Sequence, residues 1–438
     1  MQGPVLSAAA SAPASQLRDR LRRWTGILSA YFTTQALTQL LGIAAGLVLI
    51  NRLPVEQFAL YSLATSVVTF FGFATDLGSS GSLLYFYRRT RGDAAAFRAY
   101  PAAVLSLRRG LFLVGALGVA AAFPAAATAE GFAPLEVTLV LAGILLCVWF
   151  QISSTLRLLA LRLEDRYLRS YRADLLGAAL RLLLTLGMVA AALLFAWLGM
   201  LASAAGAALV TLLAASPTAP AAATAGELLP ARRQVVRYLL PTLPSALYFS
   251  LQGPLVVWLA ATFGGVRNIA EVGALGRLGL VVGIFASLTG IVFLPRLARL
   301  HDDRLYRRRY LQFGSLMLAI GAALLAAAAL FPQAILWVLG PAYSGLRREL
   351  VLVVAAAAVS LVGGYAVGVN LARSWTRWQT PAMMALVLAQ ATIVWLTPMG
   401  TTAGVLTFNL ASATVGCALQ LAIAAVGFAR PALVHWQA

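Results

Sequence analysis

Two arginines, Arg181 and Arg277, fall inside long apolar stretches of this 438-residue sequence. A guanidinium in hydrocarbon costs about 2.5 to 3.5 kcal/mol by insertion scales unless it faces a partner or a water-filled cavity. Arg181 lies about nine to twelve residues into its stretch, roughly 14 to 18 Å along a helix, which is mid-membrane. Arg277 lies about seven residues into its own, roughly 10 Å below the nearer surface. Both are therefore candidate lining for a polar cavity. Asp174 precedes Arg181 on the same helical face but about 10 Å away, too far to pair with it in one helix. Asp76 lies near the end of another apolar stretch, within reach of water. Asp76 and Asp174 are candidate acids for ion coupling, with a structural role among nearby arginines as the alternative reading.

Uncharged polar residues recur at helical spacing in two further stretches. Tyr31, Gln35, Thr38, Gln39, Gly42 and Gly46 share one face of the first, and Pro241, Ser245, Tyr248 and Gln252 share one face of the seventh. Such stripes either line a cavity or mediate helix packing. Gln35, Gln39, Gln252 and Tyr248 are the candidate substrate contacts. Pro241 and Pro244 interrupt the helical ladder and are candidate gating positions. No phosphate-binding loop, HExxH motif or Cys/His ligand cluster is present, so no cofactor or metal is expected. Glu56, Glu130, Glu136, Glu271 and Glu349 are scattered without paired spacing, and no enzymatic activity is expected.

These residues must be positioned by membrane-spanning helices. With 61% hydrophobic and 11% charged residues, too little polar surface exists to cover soluble domains. About 20 apolar residues cross a bilayer core as one helix. Six such stretches occur at roughly 25–50, 57–86, 103–123, 135–160, 170–192 and 198–215. Six more follow at roughly 236–262, 270–295, 310–331, 349–371, 381–397 and 402–428. The expected layout is a basic cytoplasmic tail (1–24), a six-helix lobe (25–215), a Pro/Ala/Thr-rich cytoplasmic linker (216–234), a second six-helix lobe (235–428) and a short cytoplasmic tail (429–438). The basic residues of the N-terminal tail follow an uncharged Ala/Ser/Pro run, the wrong order for a cleavable signal starting at residue 1.

All 33 basic residues are arginine, against 14 acids, for a net charge of +19. They fall in short runs between apolar stretches, which argues against a nucleic-acid-binding domain. With twelve spans, 27 of the 33 lie in the tails and even-numbered connections. Only Arg52, Arg267, Arg347 and Arg348 lie in the odd-numbered ones. Cytoplasmic loops retain Arg, so both termini are expected in the cytoplasm. Trp197, Trp337 and Trp395 are expected near outer span ends, and Trp24, Trp375 and Trp378 near inner ends. Residues 60–78 align without gaps on 272–290, pairing the second span with the eighth. The expected fold is thus an all-α integral membrane protein, twelve transmembrane helices in two six-helix lobes forming a parallel repeat around a central cleft. Spans one, two, seven and eight are expected to line that cleft.

The segments RLPVEQFALYSLATSVVTFFGFATDLGSSGSLLYFYRR, LRLEDRYLRSYRADLLGAALRLLL, LLPTLPSALYFSLQGPLVVWLAATFGG and IAEVGALGRLG resemble bacterial polysaccharide and O-antigen flippases. These belong to the multidrug/oligosaccharidyl-lipid/polysaccharide exporter superfamily, and the resemblance extends over essentially all twelve spans. It implies a multi-pass protein of the bacterial cytoplasmic (inner) membrane that moves a polyprenyl-diphosphate-linked glycan between leaflets by alternating access. Membrane lipids and other polysaccharide assembly proteins are the implied partners. An anionic diphosphate crossing a bilayer calls for fixed cations, and arginine offers a bidentate fork for phosphate. The family places arginines in its cavity, and Arg277 is the best positional match, with Arg181 second. The first span has no interior arginine, a departure from the lipid II flippase branch. A drug/cation antiporter of the same superfamily and a membrane-embedded glycosyltransferase or polymerase are the competing readings.

Overall fold

The computed structural model describes residues 34–430 apart from 35, 91–96, 98, 165, 216–224, 241–242, 290–292, 295–296, 298–302, 374 and 376. The described residues are helical and loop, with no strand. The first half contains α1 (Ala36–Arg52), α2 (Val55–Asp76), α3 (Ser79–Arg89), α4 (Ala99–Ala129), α5 (Pro134–Leu163), α6 (Tyr167–Ala190) and α7 (Ala196–Leu213). A connecting helix α8 (Ala225–Leu239) precedes α9 (Leu243–Phe263), α10 (Val266–Leu288), α11 (Asp303–Leu330), α12 (Pro332–Leu339), α13 (Arg347–Ala372), α14 (Gln379–Leu396) and α15 (Thr402–Ala429). With α2 and α3 counted together, 11 helices among the described residues are long and apolar enough to cross a membrane. The shorter apolar α1 stands where the first span is expected. The chain is a multi-pass α-helical membrane protein.

Runs of Leu, Val and Ala dictate these elements, because hydrocarbon offers the backbone no hydrogen bonds and only a helix satisfies its own. Turns fall where Pro and Gly punctuate the runs. Pro134 and Pro332 open α5 and α12, where a missing N–H costs nothing. Gly265, at φ 106°, makes the two-residue turn from α9 to α10 that a side chain would strain.

The expected second span, 57–86, is one candidate span, Val55–Tyr87, with a break between α2 and α3 at Leu77 and Gly78, both at positive φ. Two expected boundaries need correction. The third span begins at Ala99, which moves Arg108 and Arg109 from a cytoplasmic connection into a helix. The linker is partly helical, and the expected boundary at 234/235 falls inside α8.

The internal repeat reappears as packing. In the first half α5 packs on α7, α6 on α7, α4 on α5, α2 on α5, and α2 on α7. The corresponding helices of the second half pair likewise: α13 on α15, α14 on α15, α11 on α13, α10 on α13, and α10 on α15. The hydrogen bonds follow suit. Gln57 at the start of α2 accepts from the backbone N–H of Ala196 at 2.9 Å, while Glu271 near the start of α10 accepts from the Thr402 hydroxyl at 2.6 Å. Each half ties its second helix to the beginning of its sixth.

One apolar core runs through the odd-numbered connections of both halves, including Leu53, Phe132, Ala196, Ile269, Tyr343 and Met399. At the opposite end the halves have separate cores, one around Phe86, Val104 and Leu156 and one around Tyr306, Tyr365 and Trp375. The halves meet mainly where α2 packs against α9 and α10. There the Trp258 indole N–H donates to the Ser66 hydroxyl at 2.9 Å, and Gly273 abuts the Ser62 side chain. Trp337 and Trp395 are highly exposed near the odd-connection end, as interfacial aromatics should be. Trp375 stands at the even-connection end, as expected, and is buried beneath Gly427 and against Phe428.

Candidate functional site

The two arginines singled out in the sequence converge on a single tyrosine. Tyr61, on α2, is fully buried. A terminal nitrogen of Arg181, from α6, donates to its hydroxyl at 3.0 Å. Arg277, from α10 in the other half, holds its guanidinium 5.6 Å from the same ring's centroid, within cation–π range. The Arg277 side chain packs beside Gly46 of α1.

Both arginines line a cavity of about 430 Å³, space for on the order of ten waters. Its other polar lining comes from Thr65 and Thr69 of α2, Gln151, Ser154 and Thr155 of α5, Asp174 of α6, and Ser203 of α7. The wall therefore belongs to the first half, and Arg277 reaches into it from the second. Close approach of α6 to α7 shapes this wall. A Cβ on Gly206 would stand 2.7 Å from the Gly177 carbonyl and 3.3 Å from the Cβ of Arg181.

Among the described residues neither arginine has a carboxylate within 4.0 Å. The Nε of Arg181 is buried without a hydrogen-bond partner, as is the Gln151 side-chain oxygen. A buried donor left unmade costs more than a made one gains, so among the described residues both atoms bear a desolvation cost in this conformation. With two guanidiniums against the single carboxylate of Asp174, the lining carries excess positive charge.

A second buried arginine site adjoins the first. Arg108, only 2% exposed, forms an ion pair with Asp76 and donates to Ser79 at 2.8 Å, Ser80 at 2.8 Å and Thr155 at 3.0 Å. Asp76 also accepts from the Ser79 and Ser80 hydroxyls. This cluster borders a cavity of about 250 Å³, and Val68, Thr69, Gln151 and Thr155 line both cavities. The sequence reading leaves Arg108 in a loop. Its signal is positional: Asp76 and Arg108 sit at similar depth in consecutive, oppositely running spans.

The remaining sequence-predicted residues are not gathered at this cavity. Gln252 exchanges amide hydrogen bonds with Gln390 of α14, the shorter 2.9 Å. Gln39 is half-buried on α1, and Tyr248 is half-buried on α9. Neither lines the arginine cavity. Pro244 is exposed in the first turn of α9. Gln35 and Pro241 lie outside the described residues. Of the spans expected to line a cleft, the second (α2) and the eighth (through Arg277 of α10) border this cavity, together with α5, α6 and α7. Tyr61, Gln151 and Ser203 are the residues that sequence reasoning misses.

The sequence matches no protein-family model and no curated protein. Solved structures do match its shape. One is the inward-facing conformation of a multidrug resistance MATE family transporter of the MOP superfamily, with TM-score 0.67 and 15% identity, covering 91% of this chain and 95% of that one. Another is the lipid II flippase MurJ in an inward closed conformation, with TM-score 0.69 and 10% identity, covering 89% of this chain and 86% of that one. An outward-facing MATE family transporter gives TM-score 0.53 at 16% identity, covering 94% of this chain and 96% of that one. At such identities the likeness is one of fold: the chain has the fold of MATE and MurJ membrane transporters.

Proposed function

We propose that this protein is a flippase that carries a polyprenyl-diphosphate-linked oligosaccharide, a polysaccharide or O-antigen precursor, across the bacterial cytoplasmic membrane by alternating access. The observation that carries the reading is the convergence of Arg181 and Arg277, from opposite halves, on one cavity with no ion-pair partner among the described residues. Guanidinium forks suit the oxygens of a diphosphate, and desolvation strengthens the attraction. Gln151, Ser154, Thr155 and Ser203 supply hydrogen-bonding groups for the headgroup, while the lipid tail stays in the bilayer. A drug/cation antiporter would be served by the opposite charge in this place.

The arginine excess on the even-numbered connections supports a cytoplasmic position for that end. The apolar core joining the halves at the odd-numbered end then supports reading this as an inward-facing state. The higher TM-score to the inward-facing than to the outward-facing MATE structure supports the same reading.

The test is transport by the purified full chain in vesicles. A lipid-linked oligosaccharide with a fluorescent glycan should become accessible to a membrane-impermeant quencher on the far side. Arg277→Ala should abolish this movement, and surface glycan in cells, while leaving insertion and abundance intact. Efflux of a cationic drug without any movement of the lipid-linked sugar would assign the chain to the antiporters instead.

A further inference from the structure

We infer that α8, the helix joining the two halves, carries a binding surface for anionic phospholipid headgroups. Its two faces are chemically distinct. Ala231, Val235 and Leu239, spaced four apart, are buried, and α8 packs along α4 and α3. Tyr238 stacks on Tyr85 at 4.9 Å, and Tyr100 donates to Gln234 at 2.9 Å. These contacts fix the helix and leave another face outward.

That outward face combines exposed apolar and cationic side chains. Leu229, Val236 and Leu240 are exposed, and with Arg232, Arg233 and Arg237 they border a shallow hollow of about 420 Å³. No ion pair to these arginines occurs among the described residues. The helix lies beside α3 and the start of α4, at the end of the bundle where the even-numbered connections gather. A solvent-exposed helix has no use for three outward aliphatic side chains interleaved with arginines. A helix at the level of the headgroups does, because the aliphatic groups enter the acyl boundary while the guanidiniums meet phosphates. The occupant that matches both chemistries is a lipid with a net negative headgroup.

The test uses the full chain in detergent, titrated with short-chain phosphatidylglycerol and, separately, short-chain phosphatidylcholine. The wild type should prefer phosphatidylglycerol. At roughly fivefold per arginine, the variant R232Q/R233Q/R237Q should lose about a hundredfold in that affinity and none for phosphatidylcholine. R232K/R233K/R237K, which keeps the charge, should retain most of it, guarding against a loss caused by misfolding. R307Q/R308Q/R309Q, which removes three exposed arginines of α11, should change little. Equal affinity for the two lipids, undiminished phosphatidylglycerol binding by the glutamine variant, or an equal loss in the α11 variant would overturn the inference. So would full displacement of the lipid by inorganic phosphate at comparable concentration, which would make the surface a phosphate site.

Discussion

If Arg181 and Arg277 grip one anion, removing them must be non-additive. Among the described residues Arg181 donates one hydrogen bond, to Tyr61, and Arg277 holds its guanidinium over the same ring. Each therefore has free donors for a ligand. A hydrogen bond to a charged group contributes about 1.5 to 3 kcal/mol, so Arg181→Gln or Arg277→Gln should each weaken diphosphate binding about ten- to one-hundred-fold. Independent sites would make the double variant the sum of the singles to within about 0.5 kcal/mol. A shared ligand instead predicts a coupling energy above about 1 kcal/mol, because the second loss removes a contact the first has already loosened. The assay is calorimetric titration of the purified chain and the three variants with a short-chain polyprenyl diphosphate. Additive losses would mean that the two arginines contribute independently and do not grip the anion jointly, and an unchanged affinity in either single variant would remove that arginine from the site.

Three other outcomes follow from the geometry. Asp76→Asn leaves Arg108 buried without its carboxylate and should cost about 3 kcal/mol, the lower end for a broken buried pair because Asp76 is partly open to water. Thermal unfolding in detergent measures this, and adding Arg108→Met should restore most of the loss; no restoration would mean the pair is not what holds these helices. Gly206→Val should separate α6 from α7 and displace Arg181, lowering both melting temperature and diphosphate affinity, whereas Gly42→Ala, at an open position, should do neither. A cysteine at Ala129 should react with an impermeant thiol reagent from outside the cell and one at Gly226 only after lysis, in a background with Cys147 and Cys417 replaced; the reverse pattern would invert the membrane orientation.

Much of this fold was legible because hydrocarbon is a strict solvent. A span must be about 20 apolar residues long, and Arg181 and Arg277 stand out against such a background. The limits of legibility are equally physical. Arg108 reads as a loop residue because hydropathy cannot distinguish a charge outside the membrane from one neutralised within it, and only the fold brings Asp76 alongside. Gln252 belongs to a polar stripe, yet a stripe looks the same whether it faces water or an amide on the next helix, here Gln390. Tyr61 sits in an apolar run where an aromatic reads as packing. Its role depends on which faces of α2, α6 and α10 meet, and that is decided by close contacts such as Gly177 with Gly206 and Gly273 with Ser62.

The unequal construction of the cavity bears on how transport would release its cargo. Arg181 and the rest of its polar lining belong to one half, as does Tyr61, which Arg181 holds, and among the lining residues only Arg277 comes from the other. Parting the halves where α2 meets α9 and α10 would carry Arg277 away from Tyr61 and leave an anion held by one fork instead of two. The affinity would then fall on the side to which the cavity opens, without any change in the charge of either arginine. A disulfide between Ser62→Cys and Gly273→Cys, whose Cβ atoms would lie 2.6 Å apart across that seam and so need it to widen by about 1 Å to reach disulfide spacing, would prevent any further parting. With Cys147 and Cys417 replaced, the oxidised variant should bind diphosphate as tightly as the wild type yet move no lipid-linked sugar, and reduction should restore movement. Transport that continues through the closed disulfide would show that the α2–α10 seam need not separate.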